Sequence, residues 1–165
     1  PQRSASLAVH VDSKAIALDG AGRVQKFVMN DRCAAGTGQF LELMATALAF
    51  TRAEFEAAAH RAARAQKLSS MCSVFAQSEV VSLIARGAAR EEMALGVHEA
   101  IATRTGALVG GVPVAPPVVF TGGCAQNQCL VRLLAAAVKQ PLQVPASPQT
   151  TAALGCALQA ALAGR

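Results

Sequence analysis

The stretch that decides the fold is "SLAVHVDSKAIALDGAGRVQKFVMN", residues 6–30. It contains three short runs rich in β-prone residues, at 6–13, 14–20 and 23–30. The second and third runs are joined by "DGAGR", whose glycines and aspartate are typical of a tight turn. These residues predict an antiparallel meander of three strands.

Helical patterns follow the meander. Phe40, Leu41, Met44 and Leu48 recur at helical spacing, and Thr51 with Glu54 forms a capping box before a second helix. A third helix should end at Gly87, where glycine is a natural helix stop, and a fourth ends in a Gly-Gly pair. The remaining segments predict, in order, a strand (115–123), a helix (124–138), a short strand (140–147) and a final helix (148–162). We therefore expect one α/β domain with a helical insertion.

Composition excludes several classes of protein. The chain has 165 residues and a net charge of +5, but its basic residues are scattered and it has no Trp or Tyr, so we expect no nucleic-acid partner. No apolar run approaches the span of a bilayer and no leader pattern opens the chain, from which we expect no membrane association and a cytoplasmic location. Five cysteines, an odd number, argue against a disulfide framework. Because the chain starts at Pro1 rather than Met, we expect a fragment or a processed chain.

Three cysteines are predicted to be structural. Cys124 and Cys129 lie five residues apart on the predicted helix 124–138 and should diverge by roughly 140° around its axis, too far to hold one metal. We expect both, and Cys156 in the final helix, to be small buried residues. The three histidines are far apart in sequence and are interpreted as structural or solvated.

Cys33 and Cys72 stand in a different context. Each is at or near the predicted N-terminus of a helix, where free backbone N–H groups favour a thiolate. Gly36 and Gly38 would let the backbone approach a bulky inorganic group. Two thiolates are half of a [4Fe–4S] site, which a symmetric dimer would complete. Spacing alone leaves open whether they are cluster ligands or ordinary helix-cap cysteines.

Four segments resemble the successive signature blocks of one family. They read "NDRCAAGTGQFLE", "CSVFAQSEVVSLI", "VVFTGGCAQNQ" and "PQTTAALGCALQA". The chain resembles, over nearly its whole length, the BadF/BadG/BcrA/BcrD ATPases, which include activators of 2-hydroxyacyl-CoA dehydratases and ATP-binding subunits of benzoyl-CoA reductases. The resemblance implies the RNase-H-like fold of the actin/Hsp70/sugar-kinase (ASKHA) class. It also implies that Cys33 and Cys72 ligate a [4Fe–4S] cluster shared between the two subunits of a homodimer.

The resemblance further implies a nucleotide site. In this fold class ATP lies between two subdomains, and a Gly-Gly turn contacts the adenosine; Gly122 and Gly123 match that turn. The alternative is an ordinary strand-to-helix turn. In this interpretation, residues 1–165 are the second, C-terminal ATPase subdomain, which carries the cluster helices, and the first subdomain with its phosphate loop is absent.

The second phosphate loop departs from the family pattern. The family reads D-I-G-G-Q-D-[ST]-K, whereas this chain reads "LAVHVDSK". Asp12, as a catalytic candidate, and Ser13 and Lys14, as nucleotide-binding candidates, match the end of that pattern. Val9 and His10 replace the glycine pair and would obstruct the approach of phosphate to backbone amides. We therefore expect MgATP to bind only together with the missing subdomain, and the isolated chain to lack ATPase activity.

The expected function is that of the cluster-bearing half of an ATP-driven electron-transfer activator. In the family, a ferredoxin or flavodoxin reduces the cluster, and the electron passes to a CoA-ester dehydratase or reductase. Two alternatives remain: a non-catalytic remnant of the fold that serves only dimerisation, and a cluster-free, kinase-like half.

Overall fold

The structure is a computed structural model that describes residues 4–9, 13–30, 36–68 and 73–164. The strands are β1 (Ser4–Val9), β2 (Ser13–Leu18), β3 (Val24–Met29), β4 (Val118–Thr121) and β5 (Leu142–Gln143). The α-helices are α1 (Thr37–Ala47), α2 (Arg52–Arg61), α3 (Ser73–Ala85), α4 (Arg90–Val109), α5 (Gln128–Val138) and α6 (Thr151–Ala163). Two short 3-10 turns lie at Gly123–Gln126 and Pro148–Thr150.

The described strands form one sheet in the order β3-β2-β1-β4-β5. β1 and β2, and β2 and β3, pair antiparallel, so the predicted meander is confirmed. β4 joins β1 in parallel and β5 joins β4 in parallel, after the helical insertion has carried the chain back. This mixed topology agrees with the predicted RNase-H-like α/β fold of the ASKHA class, which is confirmed.

The helical insertion surrounds α4, the longest helix. α4 packs against α2 and α5, and Met93, Val97 and Ile101 are almost fully buried, as their spacing predicts. The capping box that opens α2 is present, with the Glu54 amide donating to Thr51 and the Thr51 amide donating to the Glu54 carboxylate. No helix in the described part of the chain is both long and apolar enough to cross a membrane.

The predicted helix 124–138 is wrong in its first turn. Residues Gly123–Gln126 form a 3-10 turn, Asn127 has an extended backbone, and α5 begins only at Gln128. The break occurs because the Asn127 side chain accepts a hydrogen bond from the Leu130 amide, as a helix N-cap does. Cys124 and Cys129 therefore lie on separate elements, and the argument from their helical angle does not apply, although both are buried as expected.

The prediction for Cys156 is also wrong, because this residue is exposed. α6 has no buried residue, and Leu154, Leu158 and Leu162 are each more than half exposed. These leucines lie on one helix as their spacing predicts, but no described part of the chain covers the face that they form.

Candidate functional site

Sheet pairing brings several predicted site segments to one edge of the sheet. β1 and β4 run in parallel with Ala8 opposite Thr121, so both strands end at the same edge. β2 begins at this edge with Ser13 opposite Val9, and β3 ends there with Met29 opposite Lys14. The segment after β4, which holds the Gly-Gly pair, therefore starts at the same edge as β2, with β1 between the two strands.

The turn after β4 needs glycine at its first position. Gly122 has φ 96° and ψ 173°, a backbone region that is essentially restricted to glycine. Its amide donates to the Pro148 carbonyl at 2.8 Å, and the Thr121 hydroxyl donates to the same oxygen at 2.8 Å. The buried Pro148 thus anchors the turn from the segment before α6.

Position 123 is different, because the packing of the protein does not require a glycine there. A Cβ built on Gly123 meets no atom within 4 Å, and Gly123 lines a cavity of about 290 Å³. The open space beside this backbone is what a ligand lying against the turn would occupy. The cavity is near the lower end of the usual range for small-molecule sites.

The cavity lies between the turn and the first two helices of the insertion. Its described lining comes from the start and first turns of α1, from α2 and from the turn: Gly36, Gly38, Gln39, Leu41, Glu42, Ala45, Arg52, Phe55, Gly123, Cys124 and Asn127. It therefore combines apolar walls with a few polar groups, as nucleoside-sized sites do.

Two charged side chains of opposite sign border the cavity. Arg52, from the first turn of α2, approaches the Gly123 carbonyl at 3.5 Å, the outer limit for a hydrogen bond, and Glu42 projects from α1. The Cys124 thiol in the same wall is buried, and burial raises its pKa to about 11. Cys124 is therefore a neutral thiol that contributes to the wall rather than a nucleophile or a thiolate ligand.

Ser13 connects the sheet edge to α1. Its hydroxyl lies 3.1 Å from the hydroxyl of Thr37, the first residue of α1, and its amide donates to Asn30 Oδ1 at 2.8 Å. Ser13 is buried, whereas Lys14 is half-buried on the opposite face of β2. The structure thus places Ser13 against the start of α1, and the predicted roles of Ser13 and Lys14 toward a nucleotide stay predictions.

The predicted cluster ligands, Cys33 and Cys72, lie outside the described residues, as do Asp12 and His10. Of the flanking elements, α1 begins at Thr37 and α3 begins at Ser73, directly after Cys72. Within the described ranges, no group of His, Cys, Asp and Glu is arranged to hold a metal ion. Burial raises the pKa of Cys129 as well, so the two buried described thiols are both neutral at neutral pH.

Sequence reasoning missed the polar members of the cavity wall: Glu42, Arg52 and Asn127. Glu42 and Arg52 look like ordinary surface residues of their helices, so no local signal identifies them. Asn127 did carry a signal, because an asparagine three residues before Leu130, at the head of an apolar run, is a preferred N-cap.

Known proteins resemble this chain in sequence and in fold. The sequence pattern of the BadF/BadG/BcrA/BcrD ATPase family matches residues 10–160. The activator of lactoyl-CoA dehydratase from Anaerotignum propionicum is 44% identical over 149 residues, which are 90% of this chain and 58% of that protein. A benzoyl-CoA reductase subunit from Thauera aromatica is 31% identical over 77% of this chain and 45% of its own length.

A solved structure has the same fold. The activator of 2-hydroxyisocaproyl-CoA dehydratase from Clostridium difficile, with bound ADPNP, superposes with a TM-score of 0.85 at 37% identity, over 96% of this chain and 59% of that one. The chain thus spans about three fifths of the length of the activators that it matches. The match over most of the chain shows that this protein belongs to the BadF/BadG/BcrA/BcrD ATPase family.

Proposed function

We propose that this chain is the second, cluster-bearing subdomain of an ATP-driven electron-transfer activator, and that its cavity binds the nucleoside part of ATP. The observation that carries the nucleotide site is the open space beside Gly123, at the wall of a 290 Å³ cavity in a chain of an ATPase family. The ADPNP bound by a structural relative supports the same ligand class.

The polar groups of the cavity suit a nucleoside. The bare backbone at Gly123 can lie flat against a base or ribose, because no side chain separates them. Glu42 can accept hydrogen bonds from amino or hydroxyl groups, and Arg52 can donate to ring nitrogens or ribose oxygens. These residues would bind and orient the nucleoside, while the phosphates would extend toward the β1–β2 connection at the same edge of the sheet.

The proposed division into subdomains is supported by α6. This helix carries no charged residue, and the leucines on its face are exposed. An uncharged helix of this kind is normally covered in a native protein. The relatives are longer than this chain, and we propose that their additional subdomain covers this helix and supplies the other wall of the nucleotide cleft.

We propose that Cys33 and Cys72 hold one [4Fe–4S] cluster together with the same two cysteines of a second copy. The support is the family membership and the position of Cys72 directly before α3. The cluster would supply one-electron chemistry. A ferredoxin or flavodoxin would reduce it. A CoA-ester dehydratase or reductase would receive the electron, and these two acceptor classes are the ones that the names of the relatives contain.

A nucleoside titration tests the nucleotide site. Adenosine lacks phosphates and so avoids the obstructed phosphate loop, and its binding can be followed by two-dimensional NMR on the 165-residue chain. We expect millimolar affinity and shift changes at Gly123 and the first turns of α1 and α2. Shift changes confined to other surfaces, or none at about 10 mM adenosine, a concentration well above ordinary cofactor affinities, would refute the nucleoside site.

Cysteine variants test the cluster. Cys33→Ser and Cys72→Ser should each abolish iron and sulfide binding in anaerobically reconstituted protein, whereas the matched control Cys129→Ser should retain both. Because one chain offers two ligands, removal of iron with a chelator should also convert dimer to monomer in anaerobic ultracentrifugation. Equal loss in all three variants, or a monomer with a full cluster, would contradict the proposal.

A further inference from the structure

A hydrogen-bonded histidine and asparagine are buried where α4 meets the start of α5. His98 is fully buried and Asn127 is 7% exposed. His98 Nε2 lies 3.0 Å from Asn127 Nδ2, and His98 Nδ1 lies 2.8 Å from the Ala94 carbonyl oxygen. The imidazole also packs against the ring of Phe55, with the ring centroids 4.9 Å apart. Asn127 lines the cavity, whereas His98 is not among the described residues that do so.

The hydrogen bonds of this pair permit one arrangement of protons. The Leu130 amide donates to Asn127 Oδ1 at 2.8 Å, and since a backbone N–H can only donate, this bond sets the orientation of the side-chain amide. Asn127 Nδ2 then donates to His98, so Nε2 must be an unprotonated acceptor. The proton of a neutral imidazole is therefore on Nδ1, where it is donated to the Ala94 carbonyl.

Asn127 connects this pair to the cavity wall. Its backbone amide donates to the Cys124 carbonyl at 3.1 Å and closes the 3-10 turn Gly123–Gln126. Its side chain caps α5 and at the same time borders the cavity. A rotation of the Asn127 side chain would release the α5 cap and alter the wall beside Gly123.

We propose that His98 is a positioning residue for nucleotide binding, which acts as a neutral imidazole by holding Asn127 so that the Gly123–Gln126 turn keeps its place in the cavity wall. This inference rests on the nucleoside site proposed above. His98 itself does not contact the nucleoside and acts through Asn127.

The arrangement makes binding sensitive to pH. Protonated His98 would present an N–H to the Asn127 amide N–H, and two donors cannot pair. The titratable groups that act on His98 are Glu56 and His60 from α2 and Arg132 from α5. Burial lowers the pKa of His98 from its ordinary 6.5, and Arg132 and His60 act in the same direction, while the Ala94 carbonyl and Glu56 oppose it. The pair is therefore intact at neutral pH and is disrupted only at a pH below 6.5, where the ring binds a second proton.

The test compares adenosine affinity, measured by NMR titration, in three variants. His98→Leu leaves Asn127 Nδ2 without an acceptor, and we expect affinity to fall about fivefold, the effect of one hydrogen bond. His98→Gln places an amide oxygen near the position of Nε2 and should restore most of the affinity. Ile101→Val, one turn further along α4, is the matched control, because it removes buried packing on the same helix without removing a hydrogen bond, and its affinity should equal that of the unmodified chain.

A pH profile adds a readout that a merely structural role would not move. Affinity of the unmodified chain should fall as the pH decreases below 6.5 toward the lowered pKa of His98, and the affinity of His98→Gln should not show this fall. Long-range ¹⁵N spectra should show the proton of His98 on Nδ1 at neutral pH.

The outcomes separate this inference from the proposed function. If the unmodified chain binds no adenosine, the nucleoside site fails and the inference fails with it. If the unmodified chain binds adenosine but His98→Leu binds it equally well, or if the ¹⁵N spectra show the proton on Nε2, the inference alone is overturned. If His98→Leu does not fold, the pH profiles of the unmodified chain and of His98→Gln still test the inference, and two identical profiles would overturn it.

Discussion

The two adjacent glycines of the turn after β4 should respond in opposite ways to alanine. Gly122 has φ 96° and ψ 173°, a region that costs an alanine about 1–3 kcal/mol. Gly123 has no positive φ, and its built Cβ meets no atom within 4 Å. Gly123→Ala should therefore be neutral or should stabilise the fold by up to about 1 kcal/mol, because alanine reduces the freedom of the unfolded chain.

These free energies convert into measurable shifts of Tm. For a domain of this size, 1 kcal/mol corresponds to about 2–4 °C, so Gly122→Ala should lower Tm by about 4–8 °C if its cost is near the middle of that range. Gly123→Ala should raise Tm by up to about 4 °C. Thermal unfolding followed by circular dichroism measures both.

Ligand binding should separate the two variants a second time. The new methyl group of Gly123→Ala would occupy the space proposed for the nucleoside, and overpacking of about 1–3 kcal/mol corresponds to a roughly 5- to 150-fold loss of adenosine affinity. The reasoning would be refuted if Gly123→Ala bound adenosine normally, or if Gly122→Ala were as stable as the unmodified chain.

Three further predictions concern packing, pH and the exposed helix. Gly96→Ala should destabilise the fold by about 2–3 kcal/mol, because its Cβ would clash with the Gln66 carbonyl oxygen. Gly155→Ala, in open space on α6, should instead stabilise the fold by up to about 1 kcal/mol. Urea unfolding compares the two variants, and a Gly96→Ala as stable as the unmodified chain would contradict this packing. The free energy of unfolding should decrease as the pH falls from 6.5 toward the lowered pKa of His98, because the unfolded chain then binds the proton more readily than the folded chain. His98→Gln should remove this part of the pH dependence, which urea titrations at several pH values measure. Leu158→Gln on the exposed face of α6 should reduce self-association in ultracentrifugation and should change the free energy of unfolding by less than about 0.5 kcal/mol. Unchanged self-association would show that this apolar face does not mediate it.

Where sequence reasoning is wrong, a contact between distant segments or a missing neighbour is responsible. The helix expected from Cys124 onward is broken at Asn127, whose capping role is a local signal, but whose partner His98 is 29 residues away. Cys156 is expected to be buried because its helix is apolar, yet the residues that would bury it are not in the described part of the chain.

Arg90 is a second example of a contact that no local pattern reveals. As a charged residue at a helix start it looks like a solvated side chain. In the structure its guanidinium donates to the Leu48 carbonyl at the end of α1 and lies 4.0 Å from the centroid of the Phe50 ring. The arginine thereby satisfies a helix carbonyl that the chain order alone does not associate with it.

The sequence by itself determined the order of strands and helices, the meander, the capping box of α2 and the family, because these depend on hydrophobic periodicity, turn residues and motifs that are local in the chain. Only the tertiary structure decided which residues meet. The parallel pairing of β1 with β4 brings the Gly-Gly turn to the sheet edge where β2 begins, and the packing of α1 and α2 against that turn encloses the cavity with Glu42 and Arg52. Such contacts join residues far apart in the chain, and their partners are set by how whole elements pack rather than by any local pattern of residues.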